Sequence, residues 1–426
     1  MLIGLEQLQN AGLLARDDLA DSPGLRDRVD YGSLIPWKID RLYRSYQRFH
    51  SGAPSSERTK LADFENASDA WLGDFVLFMA IKEAHDGSPW TDWEQPLRDR
   101  DLGAIEAFRA EHSDRIGFHI YLQWQFHTQW HALRALASEQ GIRLVGDLPI
   151  FVAHDSADVW AGRDLFELDD EGQPSIMAGV PPDYFSETGQ LWGNPIYRWD
   201  RHRDDDFAWW HSVIAAKLDL YDHVRIDHFR GFAAHWAVPQ GETTAINGEW
   251  LPSPGRELFA LLEERIGRLP LIAEDLGVIT PDVVELINTF GFARMKVLQF
   301  AFDSGEDNDY LPHTYEQNAV VYTGTHDNDT IVGWLEHANE SDRTYALRYV
   351  NGDGVEPHWD FIRCAIASTA QFAIVPMQDL LGLGSDSRMN VPGTTGGNWT
   401  WRLGSDRLSD DIASKLGEIT ATYGRA

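Results

Sequence analysis

His223-Val224-Arg225-Ile226-Asp227-His228-Phe229 is the stretch that decides the fold. Val224 and Ile226 are β-branched and alternate with polar residues, the pattern of a short strand. Side chains two apart on a strand share a face, so Arg225 and Asp227 point the same way. An arginine beside an aspartate keeps the carboxylate ionised. An ionised carboxylate at the C-terminal end of a strand is what a nucleophile at the mouth of a parallel barrel requires. A merely structural Arg–Asp pair at a sheet end fits the same residues.

Two later stretches repeat the pattern. Pro270-Leu-Ile-Ala-Glu-Asp-Leu-Gly277 is an apolar run ending on Glu274 and Asp275, and Ala319-Val-Val-Tyr-Thr-Gly-Thr-His-Asp-Asn-Asp-Thr330 is another that reaches Asp327. Helix-length spacers separate them. In a βα repeat the strand ends fall on one rim, so Asp227, Glu274 and Asp327 would converge there. Two carboxylates flanking a sugar bond are the machinery of glycoside cleavage.

Further runs extend the series. Strands are expected at 142–150, 223–227, 270–274, 295–300, 319–325 and 372–378, with Asp147 near the end of the first and Gln299 near the end of the fourth. A closed (β/α)₈ barrel needs two more. From Ile35 to about Gln140 the periodicity is helical instead. Trp71, Phe75, Phe78 and Met79 repeat as one apolar helix face, Phe118, Leu122, Gln125 and Phe126 continue the theme, and Gly141 suits a C-terminal cap. This region reads as a helical insertion or lid. Between Asp155 and Asp200 periodicity fades. The prolines and glycines of 179–195 argue against a regular element there, and a long loop inside a compact domain is expected to cover substrate.

Composition narrows the partners. The formal net charge of −31 argues against nucleic acid and anionic membrane. Seventeen Trp, 13 Tyr and 20 Phe supply core, and their flat faces also suit sugar rings. A single cysteine, Cys364, excludes an intramolecular disulfide and points to a cytoplasmic site. Met1 to Leu19 lacks a basic start and an apolar core, so no signal peptide is expected, and no run approaches transmembrane length. His228, His326, Asp327 and Asp329 raise a metal-dependent hydrolase as a rival class, but their spacing fits no common two-His motif. No metal and no cofactor are expected.

The longest motifs carry a resemblance. Val224-Arg-Ile-Asp-His-Phe-Arg-Gly-Phe232, Ala273-Glu-Asp-Leu-Gly-Val-Ile-Thr-Pro281 and Tyr322-Thr-Gly-Thr-His-Asp-Asn-Asp-Thr330 closely resemble the amylomaltases, which are 4-α-glucanotransferases (disproportionating enzymes) of the α-amylase superfamily. Residues 145–160 and 179–197 match as well, so the likeness covers essentially the whole chain. It implies Asp227 as nucleophile, Glu274 as general acid/base and Asp327 as transition-state stabiliser. It implies that Arg225 supports the nucleophile and that His326 and Asp147 hold the sugar before the cut. Asp183, Tyr184 and Trp192 match the loop overhanging the groove, and Gln299 and Asn398 complete the candidate substrate contacts. The implied substrates are maltooligosaccharides and other α-1,4-glucans.

Family members begin with a segment that supplies two strands and a substrate-contacting loop, and Met1-Leu-Ile-Gly-Leu5 resembles the stretch just after it. The expected fold is therefore an α/β (β/α)₈ TIM barrel lacking its first two strands. Residues 1–140 would form the remnant of the N-terminal loop region plus the helical insertion, and 141–426 barrel strands three to eight. The three acids do not themselves choose between sugar and water as acceptor. An α-glucan hydrolase and an inactive, truncated glucan-binding fragment stay open beside the transferase.

Overall fold

The computed structural model describes residues 1–24, 27–182 and 186–425. The chain divides into two compact units. The first comprises Met1–Ser22, Ile35–Leu271 and Ile279–Leu286, and the second Pro23–Leu34, Ile272–Val278 and Ile287–Ala426.

The first unit carries the long helices. Leu42, Tyr46 and Phe49 of the helix Tyr31–Gly52 pack on Phe118, Tyr121 and Trp124 of the helix Ser113–Glu139, joined by Leu5 and Leu8. One buried polar contact, between the hydroxyls of Ser45 and Tyr121 at 2.6 Å, satisfies both groups inside this core. The second helix ends as its sequence suggests. Gly141 takes φ +71°, and Ile142 N–H donates to the Ala137 carbonyl at 2.8 Å, closing a Schellman motif. The helix Asp69–Ala84 turns a different face inward from the expected one. Leu72, Val76, Leu77, Ala80 and Ile81 are buried with Phe78, whereas Trp71 is exposed. Bulk alone did not set the face. Trp71 instead lies against Phe75 and His127 at the surface.

The same unit holds six strands: β1 (Val145–Pro149), β2 (Ile176–Val180), β3 (Gln190–Pro195), β4 (His223–Asp227), β5 (Ala234–Pro239) and β6 (Glu249–Pro252). β1 and β4 are parallel, with Asp147 opposite Arg225 and Pro149 opposite Asp227. On the other side of β4, Val224 N–H donates to the Pro270 carbonyl at 3.1 Å.

The remaining four strands form an antiparallel sheet in the order β3-β2-β5-β6. This corrects the reading of 179–195 as wholly irregular. Gly179 and Val180 pair with Leu191 and Gln190, and an irregularity between Met177 and Gly179 absorbs the awkward residues. Proline is tolerated because it sits at strand ends, as Pro195, Pro239 and Pro252 do.

The second unit is built on β7 (Leu271–Ala273, whose first residue belongs to the first unit), β8 (Ala293–Val297), β9 (Ala319–Tyr322) and β10 (Phe372–Ile374). β7, β8, β9 and β10 pair in parallel in that order. β9 is buried at every position, as a parallel strand covered on both faces must be. Val321 packs into the cluster of Leu298, Phe302, Leu311, Ile331 and Phe361, and Val320 packs with Ile272, Met295 and Val297. The fold is α/β. Its parallel strands β1, β4, β7, β8, β9 and β10 answer to the six read from the sequence, in the manner of a (β/α)₈ barrel, with helices ahead of them. β8 ends at Val297 rather than 300, where a 3-10 turn takes over, and β10 ends at Ile374 rather than 378, where a helix starts at Met377.

Candidate active site

β4 does what its alternation demands. Val224 and Ile226 are fully buried, and Arg225 and Asp227 occupy the opposite face. The Arg225 side chain is 11% exposed and lies between two carboxylates. One terminal nitrogen donates to both oxygens of Asp147 at 2.9 and 3.0 Å, and the other donates to Oδ1 of Asp227 at 2.7 Å. The parallel register creates this arrangement by setting Asp147 beside Arg225. Asp227 and Asp147 keep 45% and 52% of their side-chain surface. The arginine is thus a nearly buried fork that aims two accessible acids.

Directly after Asp227 the chain reverses through His228 at φ 51°, ψ 49°. A non-glycine residue in the left-handed region marks a constrained turn. Burial, aided by Arg230, lowers the His228 pKa to about 3, so the ring is neutral. Trp192 of β3 meets it edge to face at 4.8 Å. Asn194 ties the same strand to the Val152 carbonyl at 2.8 Å. Asp183 and Tyr184, expected beside Trp192, lie outside the described residues.

The second unit holds the other candidates. Glu274 and Asp275 follow β7 but differ in kind. Asp275 is buried and accepts from Arg294 Nε at 2.6 Å and from Met295 N–H at 2.9 Å, which makes it a packing residue. Glu274 is half-buried, and its Oε1 accepts from Leu276 N–H at 3.1 Å. Gln299 is buried and donates to the Asp329 carbonyl at 2.6 Å. Gly324 leaves room for it, because a Cβ there would lie 2.6 Å from its amide nitrogen.

His326 and Asp327 sit together in the loop after β9, with Nε2 of the imidazole 3.3 Å from Oδ2 of the carboxylate. Asn390 donates to Oδ1 of Asp327 at 2.6 Å, and Arg388 donates to the Asp327 carbonyl at 2.5 Å. Asn398 bonds within its own loop, accepting from Val391 N–H at 3.0 Å and donating to Thr394. Its neighbour Trp399 is exposed, with its ring centre 5.2 Å from that of His326.

A family model described as 4-alpha-glucanotransferase matches residues 1–407. The chain belongs to the 4-alpha-glucanotransferase family. The 4-alpha-glucanotransferase of Synechocystis sp. is 48% identical over 431 residues, covering 100% of this chain and 85% of that protein. The 4-alpha-glucanotransferase of Thermus thermophilus is 46% identical over 424 residues, covering 97% of this chain and 84% of that protein. The solved structure of amylomaltase from Streptococcus agalactiae in complex with acarbose matches with a TM-score of 0.96 at 39% identity, over 100% of this chain and 86% of that one. As a 4-alpha-glucanotransferase family member the chain is an enzyme of glycosyl transfer and of carbohydrate metabolism.

Sequence reading passed over four residues of this glucanotransferase. Arg388 and Asn390 brace Asp327, Asp379 is buried behind the same loop, and Trp399 flanks His326. A signal was present, since Arg388-Met-Asn390 puts two side-chain donors at the start of the Gly-rich stretch that runs to Arg402. Among the described residues no helix is long and apolar enough to cross a membrane, and no cluster of three His, Cys, Asp or Glu side chains could hold a metal ion.

Proposed function

We propose that this chain moves α-1,4-glucan segments between maltooligosaccharides by a retaining double displacement. The observation that carries the reading is the fork of Arg225 between Asp147 and Asp227, at the end of a parallel strand, in a chain of this family. Asp227 is the nucleophile. Its carboxylate attacks the anomeric carbon while Glu274, protonated, gives its proton to the leaving glycosidic oxygen. A glycosyl–enzyme ester and a shortened glucan result. Glu274, now a base, takes the proton of an incoming 4-hydroxyl, whose oxygen displaces Asp227 and restores the α-linkage. This chemistry requires the carboxyl groups of Asp227 and Glu274 to stand about 5–5.5 Å apart.

In the same reading Asp327 and His326 grip ring hydroxyls as the sugar distorts toward an oxocarbenium ion. Asp147 holds the donor sugar, and Asp183, Tyr184, Trp192, Gln299 and Asn398 are further substrate-binding residues. The acidic surface and the single cysteine go with a cytoplasmic enzyme that takes neutral glucans rather than nucleic acid. Cell fractionation with an antibody to the chain tests the location, and recovery outside the soluble fraction rejects it.

Maltotriose incubation tests the reaction. Glucose and longer maltooligosaccharides should appear together. If reducing ends rise one-for-one with substrate consumed and no longer chain forms, the activity is that of an α-glucan hydrolase.

A further inference from the structure

We infer that Asp379 is a positioning residue whose carboxylate clamps both ends of the loop that carries His326 and Asp327. Thr323, where the chain leaves β9, donates its hydroxyl hydrogen to Oδ2 at 2.6 Å. Ile331, first residue of the helix Ile331–His337, donates its N–H to Oδ1 at 2.8 Å. Asp379 is 1% exposed, and Thr323 and Ile331 are fully buried. One carboxylate therefore fixes the points at which the loop departs and returns. The interior of the loop is braced separately. Asn328 accepts from Thr325, Gln299 holds the Asp329 carbonyl and Ser385 donates to Asp329 at 2.7 Å.

The Ile331 N–H can only donate, so the clamp needs an acceptor at Oδ1, whereas the Thr323 hydroxyl can donate or accept at Oδ2. An ionised carboxylate accepts two charge-assisted bonds, whereas a carboxyl group or a primary amide keeps both contacts only as weaker neutral bonds, with the threonine hydroxyl turned to accept. Burial pushes the Asp379 pKa up to about 6, so mild acid removes the two-acceptor form. The charged group facing it is Asp329, on the loop itself, which also accepts from Thr330 N–H and lies 3.8 Å from His337. From the helix Pro357–Ala367, Trp359, Ile362 and Ile366 share an apolar cluster with Leu380, and the His358 ring lies against Gly382 in the turn that follows. The geometry of the clamp is independent of the proposed function. Its catalytic meaning rests on the role proposed for Asp327.

The test uses the whole chain with Asp379→Asn, Thr323→Val and Thr323→Ser. Two readouts are taken: exchange of backbone amides in 323–331 by mass spectrometry, and maltotriose transfer as kcat and KM from pH 4.5 to 8. Thr323→Val should speed exchange in 323–331 about tenfold, as expected for loss of one hydrogen bond to a charged group, and Asp379→Asn should speed it by a smaller factor, because it replaces two charge-assisted bonds with neutral ones. Both should lower kcat more than KM. Thr323→Ser, which keeps the hydroxyl, should restore both readouts. The acid limb of the wild-type pH profile should move to lower pH in Asp379→Asn. Unchanged exchange in the 323–331 peptides, or a valine variant indistinguishable from the serine variant, overturns the clamp. Faster exchange with kcat and the acid limb unchanged overturns the positioning role. A wild-type chain with a measurable clamp and no transfer rejects the proposed function instead. If Asp379→Asn does not fold, the threonine pair decides alone.

Discussion

Asn390 donates its side-chain amide hydrogen to Oδ1 of Asp327 at 2.6 Å, while its own backbone N–H holds the His326 carbonyl at 3.1 Å. One residue thus steers the carboxylate through its side chain and the loop through its main chain. Asn390→Ala removes only the first of these. A hydrogen bond to a charged group contributes roughly 1.5–3 kcal/mol, so kcat for maltotriose transfer should fall about 10- to 100-fold with the melting temperature nearly unchanged. A variant as fast as wild type removes Asn390 from the mechanism.

Asp227→Asn and Glu274→Gln keep side-chain shape and remove the chemistry assigned to each carboxylate. Losses for such groups are typically about 10²-fold or more. Both variants should show native circular dichroism and cooperative melting while transfer is abolished. Near-wild-type disproportionation by either one excludes that residue as nucleophile or acid/base.

Arg225→Lys asks whether charge alone suffices. A lysine ammonium is a point donor and cannot span Asp147 and Asp227 as the guanidinium does. The expected loss in kcat/KM is on the order of 10²-fold. Breaking a fully buried pair costs about 3–5 kcal/mol. Here the carboxylates stay about half exposed, so the stability loss should be nearer ~1 kcal/mol. Denaturant melts and steady-state kinetics on one preparation check both numbers.

Asp275, next to Glu274, should behave in the opposite sense. Its carboxylate is buried against Arg294 and the Met295 amide, and Asp275→Ala leaves those donors without it. About 3–5 kcal/mol of stability should be lost, with transfer per folded molecule at 25 °C little changed. If transfer collapses while stability holds, the two adjacent acids have been assigned in the wrong order.

Asp379 also predicts a slope. Its folded pKa of about 6 lies above the ordinary aspartate value of 3.8. Between these values the native state binds more protons than the unfolded chain, so this residue's contribution is fully present below about pH 4 and is lost as pH rises through 6. The stability of Asp379→Asn relative to wild type should therefore increase from pH 4 to pH 6 and then level off. A pH-independent difference in urea midpoints contradicts that sign.

The parallel strands were legible because runs such as Ala319-Val-Val-Tyr322 can hardly be anything else when buried on both faces. The acids stand out as candidates because each lies at or just beyond the end of such a run. The antiparallel sheet was hidden. Its strands are short and carry Gly179, Gly193, Pro195 and Pro239, and its stability comes from partners distant in sequence rather than from an alternation visible in any one segment. The inward face of Asp69–Ala84 was misread for a similar reason. Every position from Phe75 to Ile81 of that helix is apolar enough to be buried, so its neighbours decide. Asp379, in the short helix Met377–Leu380, and Asn390, in a loop, escaped because a lone polar residue says nothing of which distant loop it will hold.

The small antiparallel sheet draws its strands from two different crossovers. β2 and β3 lie between β1 and β4, while β5 and β6 lie between β4 and β7, and β2 pairs with β5 to join them. The two excursions are therefore stitched into one transplantable module. Grafting the β1–β4 connection from another barrel without its β4–β7 counterpart would leave β5 with a bare edge and would take away Trp192, the ring that meets His228. Loop exchange in this scaffold has to be done in pairs.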